Sequence, residues 1–289
     1  MSTLEHGEFD LGGYRFGCGH PVYPAGTSRG GVEWRDQDTP NPVGDGIIFG
    51  RDYRTPRPRT FALTITGDTP AEAAQHAAEL ARAWEYARDS WEPGEEVVLA
   101  WGYHGRTLRQ YGRPRGLDLD DADLWVLETL TGVPAEFAPS DPVAYEDTAR
   151  TLSMTLTPGS AGGMVFPIEF PWGTTEAGRR QGIIVDGGGL IPTHDVTVTI
   201  AGPVARPTVT GPGWAIALDV VLAWDQTITI SGRARTALRQ DGASMAGALG
   251  RGTRLSDLTI PPGQSEITFT GEDTSGTSRV TVTWHPVAL

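Results

Sequence analysis

The chain has 289 residues, 38% of them hydrophobic and 20% charged, which is length for two domains of ordinary size and apolar material for a core in each. Its formal net charge is −13 and all 23 basic residues are arginine, which argues against a nucleic-acid-gripping surface and excludes P-loop, Schiff-base and lysine general-base chemistry. No apolar run approaches the roughly 18 residues of a membrane-spanning helix, and the lone cysteine, Cys18, excludes an internal disulfide framework.

The opening "MSTLEHGEFDLGGYRFG" lacks the cationic and apolar regions of a signal peptide, so synthesis and folding in a cytoplasm are expected. Residues 36–59, inside "GGVEWRDQDTPNPVGDGIIFGRDYRTPRPR", carry Pro and Gly too often for regular structure and read as a long loop or arm reaching outward. Arg51, Arg54, Arg57 and Arg59 in that arm are candidates for ion pairs with an acidic neighbouring subunit; their plainer reading is solvated loop charge. "FALTIT" alternates Phe61, Leu63 and Ile65 as a strand with one buried face. A helix follows, with Thr69 at its N-cap, Pro70 at its first position and Glu72 placed to close a capping box. Ala73, Ala77, Leu80, Trp84 and Ala87 fall on one stripe of it, which lays that face on a sheet.

"EEVVLAWGYHG", "DLWVLETL" and "YEDTARTLSMTLTPG" are further strand candidates, which makes residues 1–158 an α+β domain. Residues 159–175, Gly- and Pro-rich without a period, read as a linker. Residues 176–289 then alternate repeatedly: Val196, Val198 and Ile200; Trp214 to Trp224 at every second residue; Ile228 and Ile230; Ile267 and Phe269; Val280, Val282 and Trp284. Uninterrupted short strands of this kind predict a mainly β protein whose second domain is an antiparallel jelly-roll sandwich, with Trp214, Trp224 and Trp284 in its core. The stretch "RTALRQDG" near Arg235 and its echo "RTLRQYG" near Arg106 have different neighbours, and their likeness reads as coincidence.

Motifs with chemical meaning are weak. "GTSRG", Gly26 to Gly30, matches a nucleophile elbow but lacks the apolar strand before it and the helix after it. His6, Cys18 and His20 lack the paired spacing of structural zinc sites. Asp118, Asp120, Asp121 and Asp123 lack the glycine and distal Glu of a calcium loop, and Gly187 to Gly189 lead to a strand where a phosphate site needs a helix. No spacing selects a pair among the 36 carboxylates. No catalytic residue, metal or cofactor is expected.

The segments "PTVTGPGWAIALDVVLAWDQTITISGRARTALRQDGASMAGAL" and "LSDLTIPPGQSEITFTGEDTSGTSRVTVTWHPVAL" resemble the galectin-like end domain of the distal tail proteins of long-tailed bacteriophages. The strand ending in "TITI", the turn "RQDG", the "PPG" before "ITFTG" and the final "VTVTWHP" carry the likeness, and "FGRDYRTPRPRTFALTITG" extends it to that family's ring-forming domain. The resemblance implies a structural protein of the virion tail tip: a ring, hexameric in that family, closed around the DNA channel. In it the end domains project as docking surfaces, and the tail tube, tape-measure and hub or receptor-binding proteins are the partners. Galectin-type sugar recognition uses a His, Asn and Arg set on adjacent strands, and the only asparagine here is Asn41, in the first domain. The alternative functions are a carbohydrate-binding module or adhesin using jelly-roll aromatics, and a hydrolase built on paired carboxylates.

Overall fold

The apolar residues segregate into two separate buried clusters, and the chain divides with them. The computed structural model describes residues 4–28, 32–90, 92, 95–119, 127–156, 180–273 and 275–288. The first unit takes residues up to Asp147 and regains Ala288, whose amide donates to the carbonyl of Ala144 at 2.8 Å; the second is Thr148–Val287.

The first unit contains strands β1 (Glu8–Leu11), β2 (Tyr14–Gly17), β3 (Val22–Ser28), β4 (Val32–Arg35), β5 (Thr39–Pro40), β6 (Ile47–Ile48), β7 (Tyr53–Pro56) and β8 (Arg59–Thr66). Helix α1 (Pro70–Asp89) follows, then β9 (Val97–Tyr103), β10 (Arg106–Leu117), β11 (Thr129–Pro139) and β12 (Tyr145–Glu146). Its main sheet is antiparallel in the order β2-β1-β9-β10-β11-β8-β3, with β12 on β10. The helix begins as the capping pattern predicts. Thr69 Oγ1 accepts from the Glu72 amide at 3.2 Å, and the Glu72 carboxylate accepts from the amide of Asp68, one residue ahead of the cap, at 2.9 Å. Ala73, Ala77, Leu80 and Trp84 are buried against the sheet, where the Trp84 ring meets Phe61 edge-on at 6.3 Å.

The arm predicted as irregular is instead a β-hairpin: β4 pairs with β7, and β5 with β6. Two of its glycines serve that pairing. Gly46 turns the tip at φ 105, and a side chain at Gly50 would collide with the Gln37 carbonyl oxygen at 2.2 Å, so the strands approach closely there because Gly50 has none. Local composition suggested a breaker, but cross-strand pairing decides the conformation.

The second unit is a sandwich of two antiparallel sheets sharing one core. Its strands are β13 (Arg150–Thr155), β14 (Arg180–Asp186), β15 (Val196–Ala201), β16 (Val204–Gly211), β17 (Trp214–Ala217), β18 (Val221–Leu222), β19 (Thr227–Ser231), β20 (Thr236–Arg239), β21 (Gln264–Glu272) and β22 (Arg279–Trp284). One sheet runs β13-β22-β15-β19-β20, the other β14-β21-β16-β17 with β18 on β16. Val196, Val198, Ile200, Val280 and Val282 from one sheet face Val209, Ile267 and Phe269 from the other.

Two details move relative to the sequence analysis. The segment "YEDTARTLSMTLTPG", assigned there to the first domain, straddles the division: Tyr145–Glu146 pairs with β10, whereas Arg150–Thr155 forms a full ladder with β22 and enters the second unit. The expected linker at 159–175 lies outside the described residues. The alternation from Trp214 to Trp224 breaks at its end, because residues 223–226 form a turn closed by the Gln226 amide on the Ala223 carbonyl at 3.1 Å. Trp224, expected in the core, is therefore 81% exposed, while Trp214 and Trp284 are buried.

Candidate assembly interface

Three features of the first unit stand together: the arm, its root, and a pocket beside that root. The arm exposes a set of large apolar side chains among its charges. Phe49 is 82% and Val43 95% exposed, and Trp34, Ile47 and Ile48 are exposed with them, a grouping that marks a contact surface on a water-facing hairpin. Arginines brace it from within. Arg54 stacks over the Trp34 ring at 5.1 Å, Arg35 and Arg51 flank Tyr53 at 5.5 and 5.6 Å, and Arg57 pairs with Glu33 at 3.4 Å. Arg51, Arg54 and Arg57 thus have contacts inside their own arm.

Arg59 is placed differently. It opens β8 opposite Phe137, so the alternation that buries Phe61 and Leu63 turns its side chain inward too, and it is 6% exposed. Its guanidinium lies over the Trp101 ring at 4.0 Å. It is not one of the solvent-facing arm charges among which the sequence analysis placed it.

Arg59 and Trp101 lie in the wall of a pocket of about 680 Å³ that also takes in Phe9, Tyr23, Thr27 and Tyr103. His6, Cys18 and His20 stand on its rim and wall, so the fold does bring the three together around one cavity. They do not form a metal centre: no group of three metal-binding side chains is suitably placed among the described residues. His20 Nε2 lies 3.1 Å from the carboxylate of buried Glu8, and His6 stacks on His104 at 4.5 Å. Glu8 also accepts from the Glu5 amide at 2.9 Å and pairs with Arg15 at 3.2 Å. The Glu5 amide leads in holding the Glu8 carboxyl below its usual range; burial opposes, and His20 and Arg15 add to the lowering.

The remaining motifs have structural roles. Gly26 and Ser28 lie in the strand β3 and the next described element is the strand β4, where an elbow needs a helix; Arg29 and Gly30 lie outside the described residues. The Gly187 carbonyl accepts from the Trp284 indole at 3.0 Å and its amide donates to Gly263, which makes the triglycine a packed turn. Asp118 donates its amide to Pro134, and Asp120, Asp121 and Asp123 lie outside the described residues. The Trp214 indole donates to the Thr259 carbonyl at 2.6 Å, the polar partner a buried indole needs. Asn41 is at the arm tip, capping the Val43 amide at 3.2 Å, remote in sequence from any sandwich strand. Sequence reasoning missed the pocket, Glu8 and Trp101, because their grouping depends on which strands neighbour one another.

No protein-family model and no curated protein matches the sequence. Solved structures do. The SPP1 Dit protein, described as a paradigm of the hub adsorption apparatus in phages infecting Gram-positive bacteria, superposes with a TM-score of 0.60 at 11% identity, over 98% of this chain and 99% of that one. The chain has the Dit fold. A chain of the phage P2 baseplate in its activated conformation with Ca gives 0.54 at 10% identity, over 96% of this chain and 97% of that one. The same baseplate with Sr gives 0.50 at 12%, over 92% and 98%. The Dit likeness covers 98% of this chain and so runs through both units.

Proposed function

We propose that this protein is a structural, non-enzymatic component of a bacteriophage tail tip, a distal tail protein assembled as a hexameric ring. The ring joins the tail tube to hub and receptor-binding proteins and surrounds the channel that DNA crosses. One observation carries the reading: a Dit-like fold over the whole chain presents an exposed apolar hairpin that a lone subunit leaves in water. Head-to-tail contacts between unlike patches close into a ring when the rotation permits. The formal charge of −13 suits a channel through which phosphate must pass without adhering. Arg51, Arg54 and Arg57 serve in this reading as charges at the subunit boundary, on an arm where Arg51 and Arg54 stack on aromatic rings and Arg57 pairs with Glu33.

Light scattering coupled to size-exclusion chromatography tests it. The expected species at high concentration is six chain masses, and the Phe49→Ser arm variant shifts it toward single chains. A sample that stays monomeric at every salt and protein concentration overturns the ring. Exposure of Trp224 favours a second reading, a carbohydrate-binding module, because an outward indole is a surface for sugar stacking. Glycan-array binding lost in Trp224→Ala with the fold intact would support that reading over the ring.

A further inference from the structure

The arm and the pocket belong to the same unit. The pocket wall includes Thr27 on β3 and Arg59 on β8, the strands that feed the hairpin at its root. The paired strands β4 with β7, and then β5 with β6, carry the tip away from that root. A tip held by its own ladders does not fold back into the cavity at its base without breaking them. Yet tip and cavity match. The cavity presents aromatic walls at Phe9, Trp101 and Tyr103 with the Arg59 cation among them; the tip presents Val43, Ile47 and Phe49 with the exposed carboxylate of Asp45.

Resting on the ring reading above, we propose that the arm tip of one copy, residues 41–49, seats in the pocket of the next copy, with Phe49 as the apolar anchor and Asp45 facing Arg59. The occupant is a second copy of this chain. The contact is heterologous, tip to pocket, so each subunit gives one and receives one, as a closed ring requires. An anchor side chain entering a concave, aromatic, partly charged cavity is the arrangement that concentrates binding energy at an interface.

The single cysteine makes the test direct, because Cys18 lines the pocket and is exposed. A Val43→Cys, Cys18→Ser chain carries a thiol only at the arm tip, and the natural chain carries one only at the pocket. Tagged to differ in mass and mixed under assembling conditions with a short bis-maleimide, they are expected to give the mixed dimer well above either homodimer. Assembly seen by light scattering without the mixed product overturns the docking and leaves the ring intact; absence of assembly defeats the ring itself. Internal cross-linking in a Val43→Cys chain that retains Cys18 also overturns the docking, since the tip would then lie in its own pocket. Independently, Tyr23→Arg in the pocket and Phe49→Ser on the arm should each raise the concentration for half-assembly about tenfold or more. The double variant should be no worse than the weaker single one, since both remove one contact. Additive effects contradict the shared contact.

Discussion

At Glu8 a carboxylate is buried where two strands meet, and it is kept charged by the Glu5 amide first, then by His20 and Arg15. Its pKa is lowered on folding, so its contribution to stability is complete above the unfolded value near 4.5 and disappears as pH falls through the folded value. Glu8→Gln keeps the shape and removes the charge. Such charged hydrogen bonds contribute about 1.5–3 kcal/mol each when desolvated, and because the partners Arg15 and His20 are partly exposed, screening brings the loss down to about 1 kcal/mol. Urea unfolding should show that gap at pH 7, shrinking below pH 4.5 and closing at lower pH; a gap independent of pH would mean that shape, not charge, matters there. Little of this is visible in the sequence, because Glu5 reaches Glu8 through a local turn ahead of β1, and Arg15 and His20 reach it only through the turn between β1 and β2 and the loop after β2. Arg59 misled for a similar reason. Its neighbours in sequence are arm charges, whereas its neighbours in space are set by the register of β8 on β11.

Elements with a strong period were legible: α1 from its cap and stripe, and the sandwich strands from their alternation. Irregularity was harder to read. The arm looked unstructured because Gly and Pro weigh against strands when a single segment is considered, and its order comes from pairing across the hairpin. Trp224 shows the converse, since period-two spacing continues through a turn that no longer faces the core. The two tryptophans of that one alternating run should therefore respond differently. Trp214→Ala removes a buried, hydrogen-bonded indole and is expected to cost about 3–5 kcal/mol, whereas Trp224→Ala should stay within about 0.5 kcal/mol. Denaturant titrations of both variants decide it, and equal losses would return Trp224 to the core.

For the whole molecule, two domains were legible from length and from the change of period, but their division was not. Arg150–Thr155 reads as a strand equally well on either side, and only its ladder with β22 assigns it. That pairing leaves each unit with its own complete core, Leu80 in one and Ile267 in the other. Separate cores imply separate cooperative transitions, so calorimetry of a Phe49→Ser background, chosen because the proposed ring contact is removed there, should resolve two. Leu80→Ala and Ile267→Ala each delete a fully buried side chain, at a cost of about 2–5 kcal/mol. In units of this size that lowers a midpoint by about 5–15 °C, and each substitution should lower one transition and leave the other in place. If either substitution moved both transitions together, the units would unfold as one body, and the sandwich could not be treated as a module carried by the arm-bearing unit.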